Sequence, residues 1–306
     1  MISDTENTTI IGSGPAGLTA GIYLARAGLR PVIIAGNLPG GQLVNSDMIE
    51  NYPGFDVING ADLMAKMLSQ AEACDVRIVY DAAINVSKAD DLFITDLVSG
   101  DKIISRSVVV ATGARHRLLG VPGEAEFTNK GVSWCATCDG PMYRGKLVAV
   151  IGGGNTAAME ASFLANFAST VYLIHRRGSL RADKVMQDRL FFKHNIKYMW
   201  DSEVAEIIGS NRVEAIKVTN NITGAEALYD VNGIFIAIGT TPSSDCVGSL
   251  VSLDSGGYIK SDNTKTTCAG IFVAGDVASG SLKQAIYAAG QGALASKYVE
   301  EYLDGL

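Results

Sequence analysis

Cys135-Ala136-Thr137-Cys138 puts two thiols close enough to cross-link, and a carboxylate, Asp139, follows at once. In such a pair one thiol often has a depressed pKa, and the thiolate is the attacking species in disulfide exchange. Dithiol–disulfide chemistry is therefore the expectation for these residues. Zinc would need two further ligands, and the sequence has no second Cys-x-x-Cys and no His-x-x-His, so no metal is expected. Asp139 suits two roles, an acid–base partner for the dithiol or a helix cap. Cys74, Cys246 and Cys268 have no such neighbours and are expected to pack as small apolar side chains.

Two glycine motifs flank the cysteines, Gly12-Ser13-Gly14-Pro15-Ala16-Gly17 and Gly152-Gly153-Gly154-Asn155-Thr156-Ala157. Glycines allow a tight turn and close approach of a pyrophosphate, and a helix starting there offers free N–H groups and partial positive charge. A lone motif of this type is weak. Here an apolar strand precedes each one and a helical pattern follows, which is the context dinucleotide binding requires. The sites differ after their second strand, where an NAD-type site carries an acid for the ribose 2′-hydroxyl. The first has Ala35, and no acid occurs from Arg30 to Ser46. The second has His175-Arg176-Arg177, with Arg181 shortly after. Arginines there can pair with a 2′-phosphate, so the second site is expected to prefer NADPH to NADH; the bland alternative is a solvated basic face.

These motifs need elements to hold them. Thr8–Ile11 reads as a strand, Leu18–Ala27 as a helix stopped by Gly28, and Pro31–Ile34 as the next parallel strand: a βαβ unit. The plan recurs as a strand at Lys146–Ile151, a helix at Thr156–Ala168 with Asn155 or Thr156 as N-cap, and a strand at Val171–Ile174. β-rich stretches at 76–110 and 204–238 follow each unit. Three apolar strands run into glycine, at Val108 to Ala111-Thr112-Gly113, Ile234 to Ile238-Gly239 and Ile271 to Gly275-Asp276, and an Ala-rich helix covers Gln284–Leu303. The class expected is α/β, with two Rossmann-like three-layer nucleotide-binding domains.

The 306 residues suffice for two domains, and 47% hydrophobic with 19% charged residues describes a soluble globular chain. A net charge of −7 argues against nucleic-acid or anionic-membrane partners. No apolar run is long enough to span a bilayer, the polar Met1–Thr9 stretch does not resemble a secretory signal, and five sparse cysteines do not form a secreted disulfide framework. A cytoplasmic setting is expected.

In combination and order, these motifs resemble the low-molecular-weight, bacterial-type thioredoxin reductases of the flavoprotein disulfide reductase group, over essentially the whole chain. Gly40-Gly41-Gln42-Leu43, Ala111-Thr112-Gly113, Cys135-Ala136-Thr137-Cys138-Asp139, His175-Arg176-Arg177 and Gly275-Asp276 join the two glycine loops in carrying the resemblance. The most specific feature is a cysteine motif inside the pyridine-nucleotide domain, since glutathione reductase-like relatives carry it in the first domain.

The resemblance implies an NADPH domain at 118–243 inserted within an FAD domain made of 1–117 and 244–306. FAD would lie against Gly36, Gly41, Gln42 and Asn51, with Asp276 at its ribityl chain. Lys283-Gln284-Ala285 would flank the isoalloxazine; many members have Arg where Lys283 stands. Some bacterial members also lack the acid at the Ala35 position. Hydride would pass from NADPH to the flavin, then two electrons to the Cys135–Cys138 disulfide. Cys138 would lie nearer the flavin, Cys135 would attack oxidised thioredoxin, and Asp139 would supply a proton. Domain rotation about hinges near 117–120 and 241–244, and a homodimer, are further implications. The nearest alternative is a related flavin-dependent disulfide reductase or dithiol oxidase with another acceptor; a non-catalytic redox sensor would need no Cys-x-x-Cys outlet.

Overall fold

Consecutive β-branched residues such as Val32-Ile33-Ile34 and Val108-Val109-Val110 have every side chain buried, as parallel strands covered on both faces must. They lie in the first of two compact units, Met1–Arg115 with Thr241–Leu306; the second is His116–Thr240. The computed structural model describes residues 5–46 and 48–306. Residues 1–4, where the polar N-terminal stretch begins, and Asp47 lie outside the described residues. Among the described residues no helix is long and apolar enough to cross a membrane.

The first unit opens with β1 (Glu6–Ile11), α1 (Pro15–Arg26), β2 (Pro31–Ile34), α2 (Gly60–Ala73), β3 (Arg77–Val79), β4 (Ala83–Ala89), β5 (Leu92–Leu97) and β6 (Lys102–Val110). After β7 (Ala114–His116) the second unit runs through β8 (Val132–Ser133), α3 (Ala136–Asp139), β9 (Leu147–Ile151), α4 (Asn155–Leu164), β10 (Thr170–Ile174) and α5 (Lys184–Phe191). It continues through β11 (Ile196–Met199), β12 (Ser202–Gly209), β13 (Val213–Asn220), β14 (Glu226–Asp230) and β15 (Gly233–Ile236). β16 (Thr240–Pro242) pairs with β7, and β17 (Ile271–Val273) and α6 (Ala285–Leu303) complete the first unit.

Strands β3-β2-β1-β6-β17 form a parallel sheet. β6 is shared: its first half pairs antiparallel with β5 and its last residues pair parallel with β17. Alternation then sorts the side chains. Ile10, Ile33, Val109 and Phe272 face a layer of α1, α2 and α6. Ile11, Ile34, Val110 and Val273 face the β4–β5 hairpin with its buried Val86, Phe93 and Leu97.

The second unit repeats the scheme. The parallel order is β11-β10-β9-β15-β8. Val148, Val150, Val171 and Phe235 face the helical side. Ala149, Ile151, Ile174 and Ile236 face the antiparallel β12-β13-β14 sheet. Both units are therefore three-layer Rossmann-type α/β structures.

Some boundaries differ from the sequence reading. α1 begins at Pro15, whose fixed φ suits a first helical turn. β9 starts at Leu147, one residue after the expected Lys146. α4 stops at Leu164 rather than Ala168: Phe167 and Ala168 both donate to the Leu164 carbonyl, and the chain turns away. Its N-cap is Gly154, not Asn155 or Thr156, because Asn155 is engaged elsewhere.

Candidate functional site

Cys135 and Cys138 are joined in a disulfide, their Cα atoms 5.3 Å apart. Cys135 is the N-cap of α3, and its Sγ accepts the Cys138 N–H at 3.2 Å. Its own N–H donates to Ser133 Oγ at 3.0 Å, which ties the pair to the end of β8. Both cysteines and Asp139 are half-buried, while Thr137 is exposed. Asp139 closes α3, and its side chain makes no capping hydrogen bond to the 3-10 turn Gly140–Tyr143 that follows. It acts on Tyr143 instead: burial raises that phenol's pKa, and the Asp139 charge adds to the shift.

Glu160, which the sequence reading missed, reaches the same short helix from α4. Its carboxyl accepts the Ala136 N–H, and its Oε2 is buried with no hydrogen-bond partner among the described residues. Burial pushes this carboxyl up to about 7, and the Ala136 N–H opposes the shift. The signal was present, since Glu160 lies at helical spacing from Ala157 and Leu164, both on the buried side of α4.

Around the first sheet, the expected cofactor residues gather at the C-terminal strand ends, where open α/β sheets bind ligands. Gly12 follows β1 at φ +112, and a Cβ there would overlap the Ala111 carbonyl. Gly14 is the uncapped N-cap of α1, ahead of Pro15, Ala16 and Gly17, and Gly36 has open space where a side chain would stand. Ser13 is a second residue the reading missed. It is 4% exposed, donates to the Ala35 carbonyl at 2.8 Å and accepts the Gly40 N–H at 3.0 Å. One hydroxyl thus fixes the glycine loop to the end of β2 and to the Gly41–Asn45 turn that contains Gln42 and Leu43.

Further along that edge, Thr112 Oγ1 donates to the Ser243 carbonyl at 2.6 Å, and Gly113 accepts the Ser243 N–H at 3.0 Å. Gly275 N–H donates to Gln291 Oε1 at 2.8 Å. Burial raises the Asp276 carboxyl, opposed by Lys283 and by the Ser281 hydroxyl. Lys283 sits at φ +58 with its Nζ 3.3 Å from the Tyr258 hydroxyl. Asn51 Nδ2 donates to Gln284 Oε1 at 3.2 Å, and Gln284 stands at the N-cap position of α6 without a side-chain capping bond.

In the second unit Gly152 repeats Gly12, a Cβ there overlapping the Ala237 carbonyl just before Ile238-Gly239. A Cβ at Gly154 would meet nothing within 4 Å, and the helix start there carries no side-chain cap. Asn155 turns away to Asp183, donating to its Oδ2 at 2.9 Å and accepting its N–H at 2.8 Å; Thr156 is exposed. Arg176, Arg177 and Arg181 are exposed, and the Arg181 N–H donates to the Gly153 carbonyl at 2.6 Å. His175 parts from them: it is 5% exposed, and its ring fills the space a side chain at Gly153 would need. Burial, then the three arginine charges, hold its pKa below the ordinary histidine value. A neutral imidazole therefore supports the loop from beneath.

Two units with uncapped glycine-loop helices, one of them carrying a disulfide, define a nucleotide-dependent disulfide oxidoreductase. The family model described as pyridine nucleotide-disulphide oxidoreductase matches residues 6–292. A thioredoxin reductase of Streptomyces coelicolor is 43% identical over 100% of this chain and 96% of its own. One from Rickettsia felis is 42% identical over 98% of this chain and 99% of its own. The crystal structure of thioredoxin reductase from Streptococcus pyogenes superposes with a TM-score of 0.93 at 40% identity, covering 99% of each chain. The chain belongs to the pyridine nucleotide-disulphide oxidoreductase family and, within it, to the thioredoxin reductases.

Proposed function

We propose that the protein reduces the disulfide of thioredoxin with electrons from NADPH, passed by way of FAD and the Cys135–Cys138 pair. The observation that carries this reading is that pair, already joined as a disulfide in the unit that also holds the second glycine loop and its arginines. When bound, the flavin would accept a hydride from the nicotinamide and release two electrons to a disulfide.

The first unit fits FAD. The N–H groups at the start of α1 are free for a pyrophosphate, and Gly14 and Gly36 leave room for close backbone approach, while Gly41 packs against Gly14. Asp276 offers a half-buried carboxyl to a ribityl hydroxyl. No acid stands at Ala35, whose carbonyl is taken by Ser13, so ribose binding there would rest on other contacts. The second unit fits NADPH. Gly152, Gly154 and the start of α4 would hold the pyrophosphate, and Arg176, Arg177 and Arg181 the 2′-phosphate.

Cys135 would attack the partner disulfide and Cys138 would resolve the mixed disulfide. Asp139, which follows Cys138 directly, would supply a proton to the departing thiolate. The reading carries with it a homodimer and a cytoplasmic setting, on the family resemblance.

The test is oxidation of NADPH by oxidised thioredoxin with insulin as terminal acceptor, with NADH run alongside. Turnover with NADPH alone supports the reading. Flavin bleaching without turnover would mean a different acceptor, and no bleaching with either nucleotide would overturn the second site. Cys138→Ser should still bleach with NADPH and deliver no dithiol.

A further inference from the structure

We propose that Glu160 takes up a proton when the Cys135–Cys138 disulfide is reduced and releases it when the pair is reoxidised. The proposal rests on reading that pair as the redox centre.

The geometry is specific. Glu160 accepts the N–H of Ala136, the residue bonded directly to Cys135, so the carboxyl lies against the segment whose charge changes. Its second oxygen, Oε2, is buried and has no partner among the described residues. A buried, half-satisfied carboxylate is costly where Ala157, Ala161 and Leu164 show that apolar side chains pack. A neutral carboxyl removes most of that cost.

The charged and titratable groups on the elements packed against α4 are few. α3 brings the cysteine pair and Asp139, the 3-10 turn brings Tyr143, and α5 brings Lys184, Asp188 and Arg189. β9 contributes none, and β10 only Tyr172. Among the described residues no cation offsets the burial of Glu160, whose carboxyl is pushed up to about 7 while the disulfide is intact. A thiolate appearing next to Ala136 is a like charge, which disfavours the carboxylate further.

The S–S bond breaks as it accepts two electrons; one sulfur takes a proton and the other remains a thiolate. The Glu160 carboxylate takes a second proton from solvent. On reoxidation the thiolate attacks the partner disulfide and displaces one partner sulfur. The remaining thiol gives its proton to that sulfur and closes the pair by displacing the other partner sulfur as a thiolate. Glu160 returns its proton to solvent as the negative charge departs with the partner.

Holoenzyme would be equilibrated with dithiothreitol buffers at several pH values, wild type beside Glu160→Gln, which keeps an acceptor for the Ala136 N–H. Between pH 7 and 8 the wild-type constant for disulfide reduction should fall by up to about tenfold more than that of the variant, about 30 mV for a two-electron couple. Reduced-minus-oxidised infrared spectra of wild type should gain the carbonyl band of a protonated carboxyl, kept in Asp139→Asn and lost in Glu160→Gln. Equal pH slopes in wild type and variant overturn the proposal. So does a wild-type spectrum with no such gain, whether or not the variant folds. Because dithiothreitol is the reductant, failure with NADPH or thioredoxin would count against the proposed function and leave this result separate.

Discussion

Replacing Ser13 with Ala removes one oxygen that serves two backbone groups. In the native loop the hydroxyl donates to the Ala35 carbonyl at 2.8 Å and accepts the Gly40 N–H at 3.0 Å. Ser13 is 4% exposed, so water does not readily replace either bond. An unsatisfied buried polar group costs about 1–3 kcal/mol. Some relaxation of the Gly41–Asn45 turn will recover part of that, so two groups together should lose about 2–3 kcal/mol. For a domain of this size each kcal/mol shifts Tm by about 2–4 °C, so a fall of about 4–12 °C is expected. The assay is thermal unfolding of the flavin-free protein by circular dichroism, followed by a flavin-binding titration. The loop is predicted to bind flavin more weakly as well, since Ser13 holds Gly14 and Gly40 in register. A Tm within about 2 °C of wild type together with unchanged flavin affinity would refute the argument.

Arg177→Ala and Arg181→Ala should each raise KM for NADPH about tenfold, the loss of one exposed charge-assisted contact, and leave KM for NADH unchanged; equal effects on both nucleotides would remove these arginines from the phosphate site. Gly153→Ala drives a methyl into the His175 ring and should cost about 1–3 kcal/mol, while His175→Ala in the same chain should restore most of it. Additive losses in Tm would show that the ring is not the obstacle. Asp276 has its folded pKa raised above the unfolded value by burial. Its contribution to stability is therefore full below the usual Asp range, about 3.9, and is lost as pH rises through the raised value. Flavin-free Asp276→Asn should gain stability over wild type between pH 4 and pH 8, measured by urea unfolding; a difference that does not change with pH would contradict it.

The parts of the site legible in the sequence are those set by local rules. Gly12 and Gly152 are demanded by a close approach to the neighbouring strand, so they recur at fixed distance from the strands β1 and β9. The disulfide agrees with the Cys-x-x-Cys spacing, read together with the lack of further zinc ligands in the sequence. Ser13 was in view inside its motif, but its partners Ala35 and Gly40 lie more than twenty residues away, and only folding brings them together. Asn155 looked like a helix cap because its type favours that role; the loop at Asp183, distant in sequence, offered it two hydrogen bonds instead. His175 stood beside two arginines and took on their expected function, yet alternation along β10 and the space at Gly153 send its ring inward. Type and spacing revealed which backbone the cofactors would meet; the side chains that hold that backbone in place depend on contacts with no local signature.

The first unit is interrupted by the second, and this orders events during synthesis. Residues 116–240 are contiguous, so their parallel sheet and its covering β12–β14 layer can close as soon as they leave the ribosome. The first unit must wait: β6 lacks its partner β17, and α1 lacks the helix that covers it, until after the insertion has been made. Gly292 of α6 passes so close to the Ala16 carbonyl that any Cβ would overlap it, so the late helix must dock in a single register. Until then the face of α1 at Ala16 and Ala20 stays open, and nascent chains stalled at this stage are where chaperones and proteases would find their target.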